Sequence, residues 1–305
     1  MAKEYDVIII GGGPAGLSAG IYASRSRLRT LLIEKGMFGG LIANAELVEN
    51  YPGFPDGISG FDIGEGMSQQ ASKFGLETLS AEVTGVDLLK YIKTIDTTEG
   101  DFSAKTSLIA SGAERKRLGV PGEELFINRG VSYCATCDGA LFKDRIVAVV
   151  GGGDSAVEET LFLTRFASKV IIIHRRNQLR ASKMAQERAL SHKKIELMWD
   201  TVVEEIRGNN KISELVVRNV KTGETSQIAV DGVFVYVGQS PNTSFLKGQV
   251  PLDKEGYIIT DDRMGTQVKG VYAAGDIRRN SSRQVITAAG DGATAAISAE
   301  KFLSS

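Results

Sequence analysis

The stretch Tyr5-Asp6-Val7-Ile8-Ile9-Ile10-Gly11-Gly12-Gly13-Pro14-Ala15-Gly16 decides the fold. Residues 5–10 are an almost unbroken apolar run, the pattern of a parallel strand covered on both faces. The run enters a glycine turn. Pro14 suits a first helical position, where no amide donor is needed, and residues 17–27 carry helical spacing. Residues 29–33 read as a second strand that ends at Glu34. Within this strand, turn, helix, strand unit, Gly11-x-Gly13-x-x-Gly16 is a dinucleotide fingerprint. Its first glycine makes the tight turn, its second lets backbone approach a pyrophosphate, and its third lets helix and strand pack closely. Helix N-terminal amides then face the phosphates, and Glu34 is placed to hydrogen-bond a ribose hydroxyl. A glycine pattern alone is weak, and a purely structural turn competes with it. Here every element falls in register.

The arrangement recurs 140 residues later. Residues 146–150 form a strand run, Gly151-Gly152-Gly153-Asp154-Ser155-Ala156 the turn, residues 157–166 a helix and 169–173 the next strand. Gly11 to Glu34 and Gly151 to His174 are both 23 positions. One supersecondary design is used twice, which predicts two nucleotide domains rather than a short solenoid repeat. The second strand ends differently, at His174-Arg175-Arg176 with Arg180 further on. A carboxylate there would repel a 2′-phosphate, whereas guanidinium groups bind it bidentately. The second site therefore reads as one for NADPH, against the plainer reading of a solvated basic turn. Shorter strand candidates are 106–110, 214–220, 227–230, 232–237, 257–260 and 270–274. Residues 112–119, with a glycine at each end, and 238–242, with Gly, Ser, Pro and Asn, read as hinges.

Composition bounds the function. The 305 residues suggest about two domains. A formal net charge of −1 gives no electrostatic footprint for nucleic acid or an anionic membrane. No secretory signal and no run of ~18 apolar residues are present, so a cytoplasmic protein with no membrane span is expected. Glycine is abundant, 35 residues or about 11% against a usual ~7%. Cysteine is scarce: Cys134 and Cys137 are the only two.

Cys134-Ala135-Thr136-Cys137 precedes the second glycine unit. A zinc site lacks further ligands, since the other metal-binding candidates, His174 and His192, have no ligand spacing. A structural disulfide would close a tiny loop and stabilise little. A redox dithiol fits: one thiolate attacks a disulfide and its neighbour resolves the mixed disulfide. Asp138 follows directly and is placed to exchange a proton with a sulfur or leaving thiol, against the plainer reading of an Asp-Gly turn.

With these residues in view, the chain resembles the low-molecular-weight thioredoxin reductases along essentially its full length. These are the bacterial and archaeal class of pyridine nucleotide-disulfide oxidoreductases. The resemblance rests on residues 11–16, Val48-Glu49-Asn50-Tyr51-Pro52-Gly53, Cys134-Ala135-Thr136-Cys137-Asp138-Gly139, residues 151–156, His174-Arg175-Arg176, and Gly275-Asp276 with Arg283-Gln284. It implies an α/β fold of two Rossmann-like three-layer nucleotide-binding domains. An NADPH domain carrying the redox pair, residues 115–241, is inserted in a split FAD domain, residues 1–114 and 242–305. The first fingerprint, with Gly11, Gly13, Pro14, Ala15 and Gly16, would hold the FAD pyrophosphate, with Glu34 and Lys35 near the adenosine ribose. Gly39, Gly40, Leu41 and Asn50 would lie along the flavin. Val83, Ala110 and Gly112 are expected in the same cofactor site. Gly275 and Asp276 would meet the ribityl chain and phosphate, and Arg283, Gln284 and Val285 the isoalloxazine. Gly151, Gly153, Asp154, Ser155 and Ala156, with His174, Arg175, Arg176 and Arg180, would take NADPH. Departures from the family pattern are Leu41 after the Gly-Gly pair, Ser111 in the turn before Gly112, and Val285; all three fall near the flavin.

The same resemblance implies the reaction. A hydride passes from NADPH to FAD, the Cys134–Cys137 disulfide is reduced, and the dithiol reduces oxidised thioredoxin or a thioredoxin-like protein. Cys137 would be nearer the flavin, the inserted domain would swivel between half-reactions, and the chain would be a homodimer. A dithiol oxidase or a ferredoxin-fed reductase of the same fold has no need of an intact second glycine loop with its arginines. A flavin-binding redox sensor gives no reason for a dithiol beside a nicotinamide site. A donor to a peroxidase system through another thioredoxin-like partner is compatible with the same residues.

Overall fold

The computed structural model describes residues 4–45 and 47–305. The chain divides into two compact units. One comprises the chain up to Glu114 together with Ser240–Ser305, and the other is Arg115–Gln239. The chain crosses between them at Ala113–Arg115 and Gln239–Pro241, and these two segments pair as a two-stranded sheet. Among the described residues, no helix is long and apolar enough to cross a membrane.

The first unit is built on the opening strand, Glu4–Ile10. It lies between Thr30–Glu34 and Gly100–Ile109, parallel to both, and Glu77–Ser80 extends the sheet on the Thr30–Glu34 side. Val271–Ala273 also pairs in parallel with Gly100–Ile109. Strand alternation then assigns the two faces. Val7 and Ile9 pack with Leu17, Ile21, Ala295 and Ala299 of the helices Pro14–Arg25 and Val285–Leu303. Ile8 and Ile10 pack on the opposite face with Leu88, Ile95, Leu246 and Ile258. Each fully buried Leu or Ile contributes on the order of 1.5–3 kcal/mol of transfer free energy. A strand buried on both faces therefore has no polar alternation, as residues 5–10 lack it.

The second unit repeats the plan. Its parallel sheet runs in the order Ile195–Met198, Lys169–Ile173, Ile146–Gly151, Gly232–Tyr236, Val131–Ser132. Val147, Val149, Val170 and Phe234 face the helix side, with Ala156 and Leu163 of the helix Asp154–Leu163. Ala148, Val150, Ile171 and Val233 face an antiparallel sheet of Thr201–Gly208, Ile212–Asn219 and Thr225–Ala229, through Val203, Leu215 and Val217. Each unit is thus an α/β Rossmann-like sandwich of helices, parallel sheet and a third layer.

The sequence reading departs from the structure at one strand candidate. Residues 257–260 form no strand; Ile258 makes only single bridges, to Leu252 and Arg278. The Asp253 carboxylate accepts the amides of Glu255 and Tyr257 at 2.9 Å, and Gly256 has φ +90°. This side-chain-capped turn takes the donors a ladder would need. Both fingerprint helices also begin three residues earlier than their apolar spacing suggests, at Pro14 and Asp154.

Candidate active site

In the first glycine turn the three fingerprint positions have different neighbours. A Cβ at Gly11 would stand 2.3 Å from the Ala110 carbonyl oxygen, and one at Gly16 would stand 1.9 Å from the Gly11 carbonyl oxygen. A Cβ at Gly13 would meet no protein atom within 4 Å. Gly11 and Gly16 are therefore small because the chain touches itself. Gly13 is small where the protein offers nothing to touch. The helix starting at Pro14 has no side-chain cap, whereas the helices Gly60–Lys73 and Lys183–Leu190 are capped by Ser59 and Ser182. Uncapped amides beside an open glycine fit a pyrophosphate.

Of the other expected cofactor residues of this unit, Glu34, Gly40, Ala110 and Gly275 approach that turn. The Glu34 carboxylate accepts the amides of Gly12 at 2.6 Å and Gly36 at 2.7 Å, so it is oriented at the fingerprint. Lys35 reaches Glu82 at 3.5 Å on the surface. Gly39 and Gly40 both take positive φ, +100° and +60°, and a Cβ at Gly40 would lie 3.3 Å from the Gly13 Cα. Leu41 follows, exposed, on the short turn Gly40–Asn44. Ala110 donates its amide to the Ile10 carbonyl at 2.7 Å. Gly112, φ +62°, follows Ser111, whose hydroxyl donates to the Asn242 carbonyl at 3.0 Å. Gly275 sits against Ala15, and the half-buried carboxyl of Asp276 accepts the Ser281 hydroxyl at 2.9 Å; its partial burial raises its proton affinity above the ordinary aspartate value. Asn50 donates to the Gln284 side-chain oxygen at 2.9 Å across 234 positions. Arg283, φ +56°, donates to the Tyr257 hydroxyl at 3.0 Å, and Val285 opens the last helix. Val83 starts the strand Val83–Asp87 and packs with the cluster of Ile8 and Ile10 rather than at the turn.

Sequence reasoning missed the pair that fixes this second loop. Asp291, buried, takes Arg278 in a two-point ion pair at 2.5 and 2.9 Å and also accepts the Gly275 amide at 3.2 Å. The available signal was one acid inside the small-residue run 288–296.

The second glycine turn has the same logic. A Cβ at Gly153 would again meet nothing within 4 Å, and the helix that begins at Asp154 has no side-chain cap. Asp154 accepts the Ser182 amide at 2.7 Å, Ser155 is exposed and Ala156 is buried beneath Gly151. The Arg180 amide donates to the Gly152 carbonyl at 2.6 Å, which ties the arginine segment to the glycine loop. Arg175, Arg176 and Arg180 are exposed. His174 is 5% exposed, and its ring lies where a Cβ at Gly152 would come within 2.5 Å. Burial, then the charges of Arg180, Arg176 and Arg175, push the His174 pKa below its ordinary 6.5. A base depressed in the fold binds fewer protons folded than unfolded. Stability is therefore complete above about pH 6.5 and is lost as pH falls from there toward the folded value. The melting temperature is expected to fall between pH 7 and pH 5, and His174→Gln to flatten that slope. An unchanged slope in the variant would remove His174 as its cause.

Cys134 and Cys137 form a disulfide, with Cα atoms 5.4 Å apart. It lies at the start of the short helix Ala135–Asp138 in the second unit. Cys134 is the N-cap, and its sulfur accepts the Cys137 amide at 3.2 Å. Cys137 is exposed and Cys134 half-buried. The Asp138 carboxylate accepts the Ser132 hydroxyl at 2.7 Å, and the same hydroxyl oxygen accepts the Cys134 amide at 3.1 Å. The acid beside the pair is thus held by a residue just upstream of it, which the sequence did not reveal.

A family profile described as pyridine nucleotide-disulphide oxidoreductase matches residues 5–292. A thioredoxin reductase of Bacillus subtilis is 48% identical over 302 residues, 99% of this chain and 95% of the relative. The chain belongs to the thioredoxin reductases of this family. Among solved structures, the thioredoxin reductase of Lactococcus lactis matches with a TM-score of 0.96 at 46% identity, covering 98% of this chain and 99% of the other. That of T. acidophilum matches with a TM-score of 0.94 at 36% identity, covering 99% of each. As a member of this family the chain is an oxidoreductase that uses FAD and NADPH.

Proposed function

We propose that the chain is an NADPH-dependent thioredoxin-disulfide reductase in which the first unit holds FAD and Arg115–Gln239 holds NADPH. The Cys134–Cys137 disulfide, at the mouth of a short helix and partly exposed, carries this reading. FAD supplies the two-electron carrier between a nicotinamide hydride and the disulfide. Around it, the amides of the Pro14 helix and the open face of Gly13 cradle pyrophosphate. Glu34 takes the ribose, and Asn50, Gln284 and Arg283 border the flavin ring. Gly153 and the amides of the Asp154 helix hold the NADPH pyrophosphate, and the three arginines take the 2′-phosphate. Ser132 holds the Asp138 carboxylate beside the redox pair, where it takes the proton of the attacking thiol and returns it to the departing thiolate. Oxidised thioredoxin is the disulfide partner.

The redox pair belongs to one unit and the flavin residues to the other. We therefore also propose that the inserted unit reorients about its two crossings, Ala113–Arg115 and Gln239–Pro241. A covalent cross-link between the units is expected to stop turnover while FAD stays bound; undiminished turnover would sink the swivel. The working form is a homodimer in the cytoplasm.

The arginine reading has its own test. Arg175→Ala with Arg176→Ala is expected to raise the KM for NADPH about 10–100-fold, the equivalent of lost charge-assisted hydrogen bonds. The KM for NADH should stay nearly constant. Equal changes for both nucleotides would remove the 2′-phosphate from these side chains.

A further inference from the structure

Beneath the redox helix lies a polar cluster that the reaction above does not use. Arg115, at the end of the crossing strand Ala113–Arg115, donates through its guanidinium to the Tyr133 carbonyl, the residue just before Cys134. The same guanidinium carbon stands 4.7 Å from the centre of the Tyr236 ring. Tyr236 closes the strand Gly232–Tyr236, and its hydroxyl oxygen accepts the amide of Ala135 at 2.9 Å, the residue just after Cys134. Glu159, on the second turn of the helix Asp154–Leu163, lies 3.7 Å from Arg115. Its side chain is 14% exposed, and one of its oxygens is buried with no hydrogen-bond partner. All four groups belong to the second unit.

We propose that Arg115 and Tyr236 are positioning residues that grip the backbone on either side of Cys134, and that Glu159 is the buried acid that sets the grip through Arg115. The physical reason is local. The redox helix is only four residues long, too short to hold its own geometry. Its first amide and the carbonyl that precedes it need outside partners. Tyr236 supplies one and Arg115 the other. Arg115 carries a charge in a half-buried place, where an unpaired cation is costly and an opposite charge offsets that cost. Glu159 is that charge. None of the three moves an electron or a proton in the reaction.

Glu159 also makes the grip sensitive to pH. Burial raises its pKa to about 7 against the pull of Arg115. The charged and titratable groups that bear on it are Arg115, Tyr236 and the neighbouring Glu158. The sheet beneath its helix contributes apolar Val147, Val149 and Val170, the helix Lys183–Leu190 packs there through Ala185 and Ala189, and the Asp138 carboxylate of the redox helix is held by Ser132. The Tyr236 phenol is raised to about 12, so it stays neutral and does not contribute a wave of its own near neutrality.

The proposal rests on Cys134 and Cys137 being the working redox pair. The test equilibrates FAD-loaded enzyme with dithiothreitol couples from pH 6 to pH 8.5 and counts reduced cysteines by alkylation and mass. In the wild type, the dithiol-to-disulfide ratio should show an inflection near pH 7 beyond that of the thiols. Glu159→Gln should lose that inflection. The grip is seen on the disulfide form and loosens in the dithiol, so Tyr236→Phe, which removes the acceptor for Ala135 and the hydroxyl beside Arg115, should raise the dithiol-to-disulfide ratio by up to about 5-fold at every pH, the full worth of one net hydrogen bond, and keep the inflection. A Glu159→Gln profile that overlays the wild type, or a Tyr236→Phe ratio unchanged across the range, would overturn the proposal. Should Glu159→Gln fail to fold, Tyr236→Phe decides alone. Wild-type turnover with thioredoxin is measured in parallel, so failure of the redox reading is seen separately.

Discussion

Cys137→Ser is expected to lower thioredoxin-linked NADPH oxidation by on the order of 10³-fold or more, as loss of a nucleophile-class residue does, while FAD content and melting temperature stay close to wild type. The chain has two cysteines, so no other thiol can stand in. A single sulfur can attack a disulfide, but it cannot resolve the mixed disulfide that results. Stability should change little because the bridge spans a sequence separation of only 3, where it removes little chain entropy from the unfolded state. Cys134→Ser should abolish turnover equally. Serine keeps the N-cap that the Cys134 sulfur provides to the Cys137 amide, so the redox helix should survive. The variant that accumulates a covalent adduct with thioredoxin contains the attacking sulfur. Turnover above a tenth of wild type in either variant would remove this pair from the reaction.

Gly16→Ala should destroy the first unit, whereas Gly13→Ala should spare the fold and lose the cofactor. At Gly16 the added Cβ would sit 1.9 Å from the Gly11 backbone oxygen, and neither partner is a flexible side-chain tip. The helix Pro14–Arg25 must then move off the strand it follows. That costs about 3 kcal/mol or more, at or beyond the upper end of ordinary overpacking. Gly292 closes on the same helix, 1.9 Å from the Ala15 oxygen by the same measure, so the shift cannot be absorbed toward the last helix. The expected result is insoluble or FAD-free protein. At Gly13 the added Cβ meets no protein atom within 4 Å. Gly13→Ala should therefore melt within a few degrees of FAD-free wild type, yet bind FAD at least ~10-fold more weakly, because the methyl intrudes where backbone approaches a pyrophosphate. If Gly13→Ala kept full FAD affinity, the pyrophosphate would not lie at this turn.

The two predictions rest on features of different legibility. The strand and glycine turn at residues 5–16 were readable because a strand buried on both faces is uniformly apolar and its turn needs glycine. The matching 23-position spacing exposed the second unit for the same reason. The redox pair was readable because only two cysteines exist. Pairings between distant segments were not readable. Asn50 meets Gln284 across 234 positions, and Ser111 meets Asn242 across 131. No local pattern encodes such contacts; they follow from how the sheet brings loop ends together. The antiparallel third layer of the second unit was only partly visible, since strands such as Thr201–Gly208 mix charged and apolar residues over a bulge. Buried polar groups were the hardest. Glu159 reads as a surface residue of a helix, Arg115 as part of a hinge and Tyr236 as the end of a strand. Only the fold shows that the three meet behind Cys134.

The central claim is that electrons from NADPH reach a protein disulfide through Cys134 and Cys137. The most direct test mixes purified FAD-loaded enzyme anaerobically with NADPH or NADH, and then with oxidised thioredoxin. The account predicts that NADPH bleaches the flavin at far lower concentration than NADH. Thioredoxin should then restore the colour and oxidise one NADPH per disulfide, and Cys137→Ser should bleach but not recover with thioredoxin. Bleaching that thioredoxin does not reverse in the wild type, or equal use of NADH, would contradict it.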